Sequence, residues 1–305
     1  LYSSVSPTQV TNRSDQTCRD CIGHECINGQ FDSAGSLIQQ GCQLELYVPT
    51  MQSNLNCTLC MDCVRACPHD NVALITRAHS EELLRRPWRK RLDYAMLAVV
   101  AAFLGLLNAF AMTPPVYALQ TRLAGWLNTT SEFVVLAILF VIGVIILPAG
   151  TVFGAAWVNR LSGTQSASTR LRDLVIRYAY AFVPVGFAIW TAHYLFHFLI
   201  GPLTIIPALQ AFLADVVGVP ILGQPDWKIA ARAVTPFPVI RIIQLGALAV
   251  GLWLGGRTAL RAARDATGRD GMGQALPWLL LLLLLTLAAA YIFLQPMEMR
   301  GNVLG

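Results

Sequence analysis

After about residue 92, the chain alternates long apolar stretches with short polar connections. An α-helix needs about twenty apolar residues to cross the ~30 Å hydrocarbon layer of a membrane. Five stretches of this length predict transmembrane helices over about 93–112, 133–157, 174–200, 237–256 and 276–294. A soluble core does not need five such stretches, so the pattern predicts an integral membrane protein of the all-α class.

The polar pattern of residues 1–84 differs from that of the rest of the chain, and this part holds every cysteine. The change in composition predicts two domains: residues 1–84 outside the membrane and a transmembrane helix bundle over 85–305. Residues 202–217 repeat apolar positions at a helical period, which predicts an interfacial helix on the membrane surface.

The last four cysteines form a C-x2-C-x2-C-x3-C-P run: Cys57, Cys60, Cys63 and Cys67, followed by Pro68. This run is typical of iron–sulfur proteins, because thiolates at intervals of three residues let one short loop wrap around three corners of a cubane. A structural zinc ion needs only four ligands and gains nothing from a third cysteine at the same interval. The run therefore predicts a [4Fe-4S] cluster.

The other four cysteines match no ferredoxin repeat: Cys18, Cys21, Cys26 and Cys42. Four plus four thiols, with none elsewhere in 305 residues, fit two [4Fe-4S] clusters. In two-cluster ferredoxins the fourth cysteine of each run binds the other cluster, which predicts crossed ligand sets: Cys18, Cys21, Cys26 with Cys67, and Cys57, Cys60, Cys63 with Cys42. The uncrossed assignment stays open. Two further alternatives for the first four cysteines also stay open: a pair of disulfides or a zinc knuckle. Disulfides are disfavoured because cluster-binding thiols are usually loaded in the reducing cytoplasm.

Lysine and arginine residues are concentrated on one side of the predicted spans: over 85–91, between the second and third spans, and between the fourth and fifth. Cytoplasmic loops retain excess positive charge. We therefore expect a bacterial inner membrane protein with residues 1–84 in the cytoplasm and the C-terminus in the periplasm. Membrane anchoring accounts for the formal net charge of +5, which gives no reason to expect nucleic acid. The run 85–91 would also suit contact with anionic lipid or an acidic donor.

A second candidate site lies in the outer half of the predicted bundle, where His193 and His197 share one helix face. Ionisable groups inside a membrane are costly and usually functional. Together with Arg241, Met297 and Met299, these histidines suit a quinone, proton-relay or copper site. A haem would need a ligand from a partner subunit. The alternative is that the histidines are hydrogen-bonded between helices, the methionines pack at the interface and the arginine snorkels to the headgroups.

The chain resembles the membrane polyferredoxins of the NosR, NapH and CcoG (FixG) group, most strongly over about residues 18–75 and loosely over the spans. The resemblance is carried by Gly41-Cys42-Gln43, Tyr47, Pro49, Met51, Asn54, the run from Cys57 to Pro68, and Asn71-Val72-Ala73-Leu74. It implies a ferredoxin-like cytoplasmic domain with two four-iron clusters on a membrane-helix bundle. The first cysteine set departs from the form that is common in that group. Members also often carry further spans upstream, and the start at Leu1 rather than Met predicts a processed or truncated chain.

These features together predict a membrane-bound electron-transfer subunit of a respiratory oxidoreductase complex. Electrons would pass between the cytoplasmic clusters and a quinone or a periplasmic partner, with membrane lipid and other redox subunits as neighbours. The alternative function is a copper-handling or copper-reducing accessory protein for the assembly of a metalloenzyme, in which the histidine pair and the two methionines would face copper.

Overall fold

The structure is a computed structural model that describes residues 2–85, 91–161, 169–230, 235–267 and 271–296. It is mostly helical and contains five helices that are long and apolar enough to cross a membrane. The five predicted spans are therefore confirmed as helices. Their bounds in the structure are Leu92–Phe110, Glu132–Leu161, Leu171–Ile200, Phe237–Ala266 and Met272–Leu294.

The cysteine-containing part, residues 2–85, is built from short elements around a two-stranded sheet. In chain order these are β1 (Thr8–Asn12), α1 (Asp15–Asp20), α2 (Glu25–Asn28), β2 (Gln30–Phe31), β3 (Leu37–Gln39), α3 (Asp62–Arg65), β4 (Val72–Thr76) and α4 (Glu81–Arg85). Strands β1 and β4 pair antiparallel, with Thr8 opposite Thr76 and Asn12 opposite Val72. This pairing brings the two ends of the segment together, so the cysteine loops lie between them. We call residues 2–85 the cysteine module.

The rest of the chain forms ten helices within the described ranges. They are α5 (Leu92–Phe110), α6 (Pro114–Leu127), α7 (Glu132–Val141), α8 (Leu147–Leu161), α9 (Leu171–Tyr178), α10 (Phe182–Ile200), α11 (Ile205–Asp215), α12 (Trp227–Ala230), α13 (Phe237–Thr267) and α14 (Met272–Leu294). Helix α11 agrees with the helix predicted over 202–217. Helix α6 was not predicted from the sequence.

The third span, formed by α9 and α10, lies at the centre of the bundle. In its apolar stretch 72% of the residues are buried, against 17–39% in the other four spans. It packs chiefly against α13 and α5. Small residues allow the close approach of α10 and α13: a Cβ at Gly251 would lie 2.5 Å from the Cβ of Ala188. Such packing is usual between helices in membranes.

The second span contains one π-helical turn, Ile142–Ile146, between α7 and α8. One cause is local, because Pro148 has no N–H to donate to the carbonyl of Val144 four residues earlier. A wider turn adapts the helix to the missing hydrogen bond. Gly143 lies in this turn against the side chain of Leu107 on α5, where an added Cβ would be 3.0 Å from Cδ2.

The cysteine module packs directly on one end of the bundle. Val5, Leu55 and Leu83 belong to the same apolar core as the spans. The hydroxyl of Tyr94 on α5 donates to Asn56 Oδ1 of the module. Most of the described arginines of the bundle lie toward this end: Arg91, Arg160, Arg170, Arg172, Arg177, Arg257, Arg261 and Arg264.

A buried ion pair supports the module where it meets the bundle. Arg77 Nη2 lies 2.7 Å from Glu82 Oε2, and both side chains are less than a tenth exposed. The same carboxylate accepts from the backbone N–H of Asn54 at 2.9 Å. Burial raises the pKa of Glu82, while the Asn54 amide and Arg77 oppose that shift. Removing one partner of such a pair typically costs about 3–5 kcal/mol, because the other charge stays buried.

Candidate metal centre

Cys18, Cys21, Cys26 and Cys67 line one small enclosed cavity of the module. Cys18 comes from α1, Cys21 follows that helix, Cys26 comes from α2, and Cys67 follows α3. The cavity wall is completed by Tyr47, whose hydroxyl donates to the carbonyl of Cys18 at 3.0 Å. These four thiols are one of the two sets predicted from the crossed pattern, and the structure brings them together.

The remaining four cysteines form a neighbouring set around α3. Cys42, Cys57 and Cys60 lie close enough to Cys63 that negative charge on them raises the pKa of the Cys63 thiol. The side chain of Cys60 is exposed, whereas Cys63 is only 8% exposed. The structure thus places the cysteines in the two crossed sets rather than in sequence order.

The backbone turns sharply between the cysteines of the second set. Leu59 and Met61 have φ values of 58° and 71°, in the left-handed region that non-glycine residues rarely adopt. These turns lie between Cys57, Cys60 and Cys63, within a loop of only seven residues. Such strained positions persist where the surrounding structure fixes them and are common at functional sites.

Nitrogen donors point at the sulfur atoms of both sets. In the first set, Asn71 donates from Nδ2 to Cys18 Sγ at 3.0 Å and from its backbone N to Cys67 Sγ at 3.4 Å. In the second set, the backbone N of Leu59 is 3.3 Å from Cys57 Sγ. The backbone N of Leu46 is 3.4 Å from Cys42 Sγ. Hydrogen bonds to ligand sulfur stabilise its negative charge and tune the potential of an iron–sulfur cluster.

All eight cysteines are free thiols in the structure. Among the described residues, no group of three or more Cys, His, Asp or Glu is close enough to hold one metal ion. A single zinc ion would bring its four sulfurs to about 3.8 Å from one another, given Zn–S bonds of about 2.3 Å. A cubane holds its ligand sulfurs farther apart, so its presence stays a prediction.

Burial makes four of these thiols poor acids in the absence of a metal. Burial raises the pKa of Cys26 to about 11 and that of Cys63 to about 12, with neighbouring cysteines adding to the shift. The pKa values of Cys18 and Cys57 are raised as well, again chiefly by burial. A bound cation would compensate the negative charge of four thiolates in so small a space. Metal binding would therefore release the protons of the thiols.

The two histidines predicted to form a second site do lie together in α10. Their ring centroids are 4.8 Å apart, and His193 is 2% exposed. The Nε2 atom of His193 is 3.3 Å from Asn108 Nδ2 on α5. This contact between helices fits the structural alternative and also connects His193 to a neighbouring cavity, described below.

Arg241 lines a different cavity, of about 290 Å³, with Gln244 on α13, Phe196 on α10 and Gln295 after α14. Its side chain is exposed, which agrees with the snorkelling alternative. Met297 and Met299, the two predicted soft ligands, lie outside the described residues. The structure therefore pairs the two histidines, places Arg241 at another cavity and does not test the methionines.

Two buried polar residues, one beside the cysteines and one in the bundle, were not singled out from the sequence. Asn71 contacts Cys18 across 53 positions of the chain, so no local spacing reveals it. Gln120 on α6 is 1% exposed and lies between the buried residues Val116 and Ala124. Its position at a helical spacing of four from both was a signal that sequence analysis missed.

No protein-family model, curated protein or solved structure matches this chain.

Proposed function

We propose that this protein is a membrane-bound iron–sulfur electron-transfer protein with two [4Fe-4S] clusters in its cysteine module. One observation carries the proposal: eight free cysteines form two neighbouring sets of four, with N–H donors at sulfur atoms of both sets. The clusters would supply the redox chemistry. The chain's own residues would hold the iron, exclude water and fix the potentials.

Each part of the module has a role under this proposal. Cys18, Cys21, Cys26 and Cys67 would bind one cluster, and Cys42, Cys57, Cys60 and Cys63 the other. Because Cys63 also lies close enough to Cys26 to feel its charge, the two clusters would be neighbours. The exposed Cys60 would bring one cluster near the surface, where a soluble donor or acceptor docks.

The location of the module supports exchange with the membrane. It packs on the bundle through Val5, Leu55 and Leu83, so its clusters would be held at a fixed height above the hydrocarbon layer. We propose that this end is cytoplasmic, because most described arginines of the bundle lie toward it. Electrons would pass to or from a quinone or a redox subunit at the periplasmic side.

Cofactor analysis of protein purified without oxygen tests the proposal. Iron and acid-labile sulfide should each reach about eight per chain. Cys21→Ser and Cys60→Ser should remove different signals from the low-temperature EPR spectrum of the reduced protein, because the two cysteines belong to different sets. Thr58→Ala, an exposed neighbour of Cys57, is the matched control and should leave both signals. Four irons per chain would contradict the two-cluster proposal.

The alternative, a copper-handling accessory protein, has less support from the described residues. The histidine pair supplies two nitrogens, and no group of three metal-ligating side chains suited to one ion occurs in the described ranges. A copper site would therefore need Met297, Met299 or a partner. Copper that copurifies with intact clusters and is lost in His193→Gln would favour this alternative.

A further inference from the structure

One cavity of the bundle lies between α5, α6 and α7, away from the cysteine module. Its volume is about 500 Å³, within the usual range for small-molecule sites. Leu104, Leu107, Leu136 and Phe140 are among the apolar residues of its wall, and two amides, Asn108 and Gln120, are the polar ones.

Gln120 is the unusual residue of this cavity. It is 1% exposed, and neither atom of its side-chain amide has a hydrogen-bond partner among the described residues. A buried amide without a partner costs about 1–3 kcal/mol. A membrane bundle that needed only packing at this position would carry leucine, so the amide indicates a ligand that completes its hydrogen bonds.

Asn108 is the second amide, and His193 holds it in place. Asn108 Nδ2 faces His193 Nε2 at 3.3 Å, while Nδ1 of the same ring has no partner among the described residues. With Asn108 as the donor, Nε2 accepts and the ring proton lies on Nδ1. His193 is thus a positioning residue for Asn108, and Gln120 and Asn108 together present polar groups to the cavity.

The cavity is reached from the side of the bundle. Phe133 and Phe140 form part of its wall and are 81% and 51% exposed, in helices that would face lipid. A ligand with a long apolar chain can therefore place its head group at the amides while the chain extends between these rings into the bilayer. None of the residues that line this cavity is charged, so a phosphate head group would be poorly matched there.

We propose that this cavity binds the ring of a prenylated quinone, with Gln120 and Asn108 hydrogen-bonded to its carbonyl oxygens. The choice of a quinone among neutral ring compounds rests on the proposed function, since an electron-transfer protein of the membrane exchanges electrons with such carriers. Asn108 lies fourteen residues beyond Tyr94, a residue of α5 that contacts the module, so about 21 Å of helix separates these two residues. At this separation we assign the cavity a binding role and derive no direct electron transfer from the cysteines.

Binding to the full chain in lipid nanodiscs tests this assignment, with a short-chain ubiquinone as the probe. Gln120→Leu and Asn108→Leu should each weaken binding about tenfold, the loss expected when a carbonyl loses its donor. Thr121→Val is the matched control on α6, since Thr121 is exposed, and it should bind as the original protein does. A prenyl alcohol without a ring should bind with no dependence on Gln120.

Stability of the same variants separates a ligand site from a structural role. Without quinone, Gln120→Leu should unfold at an equal or higher temperature, because it removes a buried amide that lacks a partner. Unchanged quinone affinity in Gln120→Leu and Asn108→Leu would overturn the assignment, as would a lowered melting temperature with intact binding. Iron content, measured on the same samples, reports separately on the proposed function.

Discussion

Asn71 connects the fold of the cysteine module to the electronic properties of its candidate metal centre. Its side chain donates to Cys18 Sγ and also to the carbonyl of Ser14 at 2.8 Å, while its Oδ1 accepts from the N–H of Ser14 at 2.9 Å. One side chain thus fixes the start of α1 and supplies a donor to a ligand sulfur. We expect its replacement to change both the stability and the redox potential.

Under the proposed assignment, Asn71→Ala should lower the potential of the cluster that Cys18 would bind, because the extra electron of the reduced state loses a donor. A hydrogen bond worth about 1 kcal/mol more in the reduced state shifts a one-electron potential by about 40 mV. Potentiometric EPR titration measures the shift. Asn12→Ala, which loses only an exposed side-chain contact to Asp15, is the control. Equal potentials in the two variants would contradict a role for Asn71.

At the residue scale, the sequence indicated a cluster site at Cys57, Cys60, Cys63 and Cys67, because their spacing within one loop is itself the chemical requirement. It did not reveal the groups that surround the cysteines. Asn71 and Tyr47 act on Cys18 only after β1 and β4 pair, and Asn108 meets His193 only when α5 packs on α10. Such contacts depend on the fold and leave no local pattern.

At the scale of elements, α10 and α13 approach each other at Gly251. Replacing glycine by alanine inside a helix normally stabilises it by about 1 kcal/mol. Gly251→Ala should instead destabilise the bundle, because the new Cβ would lie 2.5 Å from Ala188 Cβ and 3.0 Å from the carbonyl of Pro184. Gly246→Ala, on the same helix with nothing within 4 Å of the new Cβ, should be neutral or stabilising. Thermal unfolding in detergent compares the two, and equal melting temperatures would show that α10 can move away.

Hydropathy predicted the five spans because their length and apolar content are dictated by the bilayer. It did not reveal α6, which has fourteen residues and carries Gln120, Thr121 and Arg122 among its apolar ones. The π-helical turn was also missed, because it depends on packing against Leu107 as well as on the missing N–H of Pro148. Short or locally distorted helices are set by tertiary contacts more than by composition.

At the scale of the whole molecule, the predicted orientation can be tested from both sides of the membrane. Thr169 lies between the second and third spans and Gln224 between the third and fourth, so one helical crossing separates them. Thr169→Cys and Gln224→Cys should react with a membrane-impermeant maleimide from opposite sides, Gln224→Cys from the periplasm. The protein without either substitution, labelled in parallel, gives the background reaction of its own eight cysteines. Labelling of both variants from one side would overturn the topology.

The two cysteine sets differ in exposure, and this difference should affect how fast each proposed cluster is lost in the presence of oxygen. Cys60 is exposed, while Cys18 and Cys26 are each 8% exposed. Under the proposed assignment, molecular oxygen reaches a ligand of one cluster without any unfolding, and an accessible thiolate is the kind that oxidises first. The cluster best placed to meet a soluble partner is therefore also the first to decay, so aerated preparations would keep the sheltered cluster and lose the one at the surface.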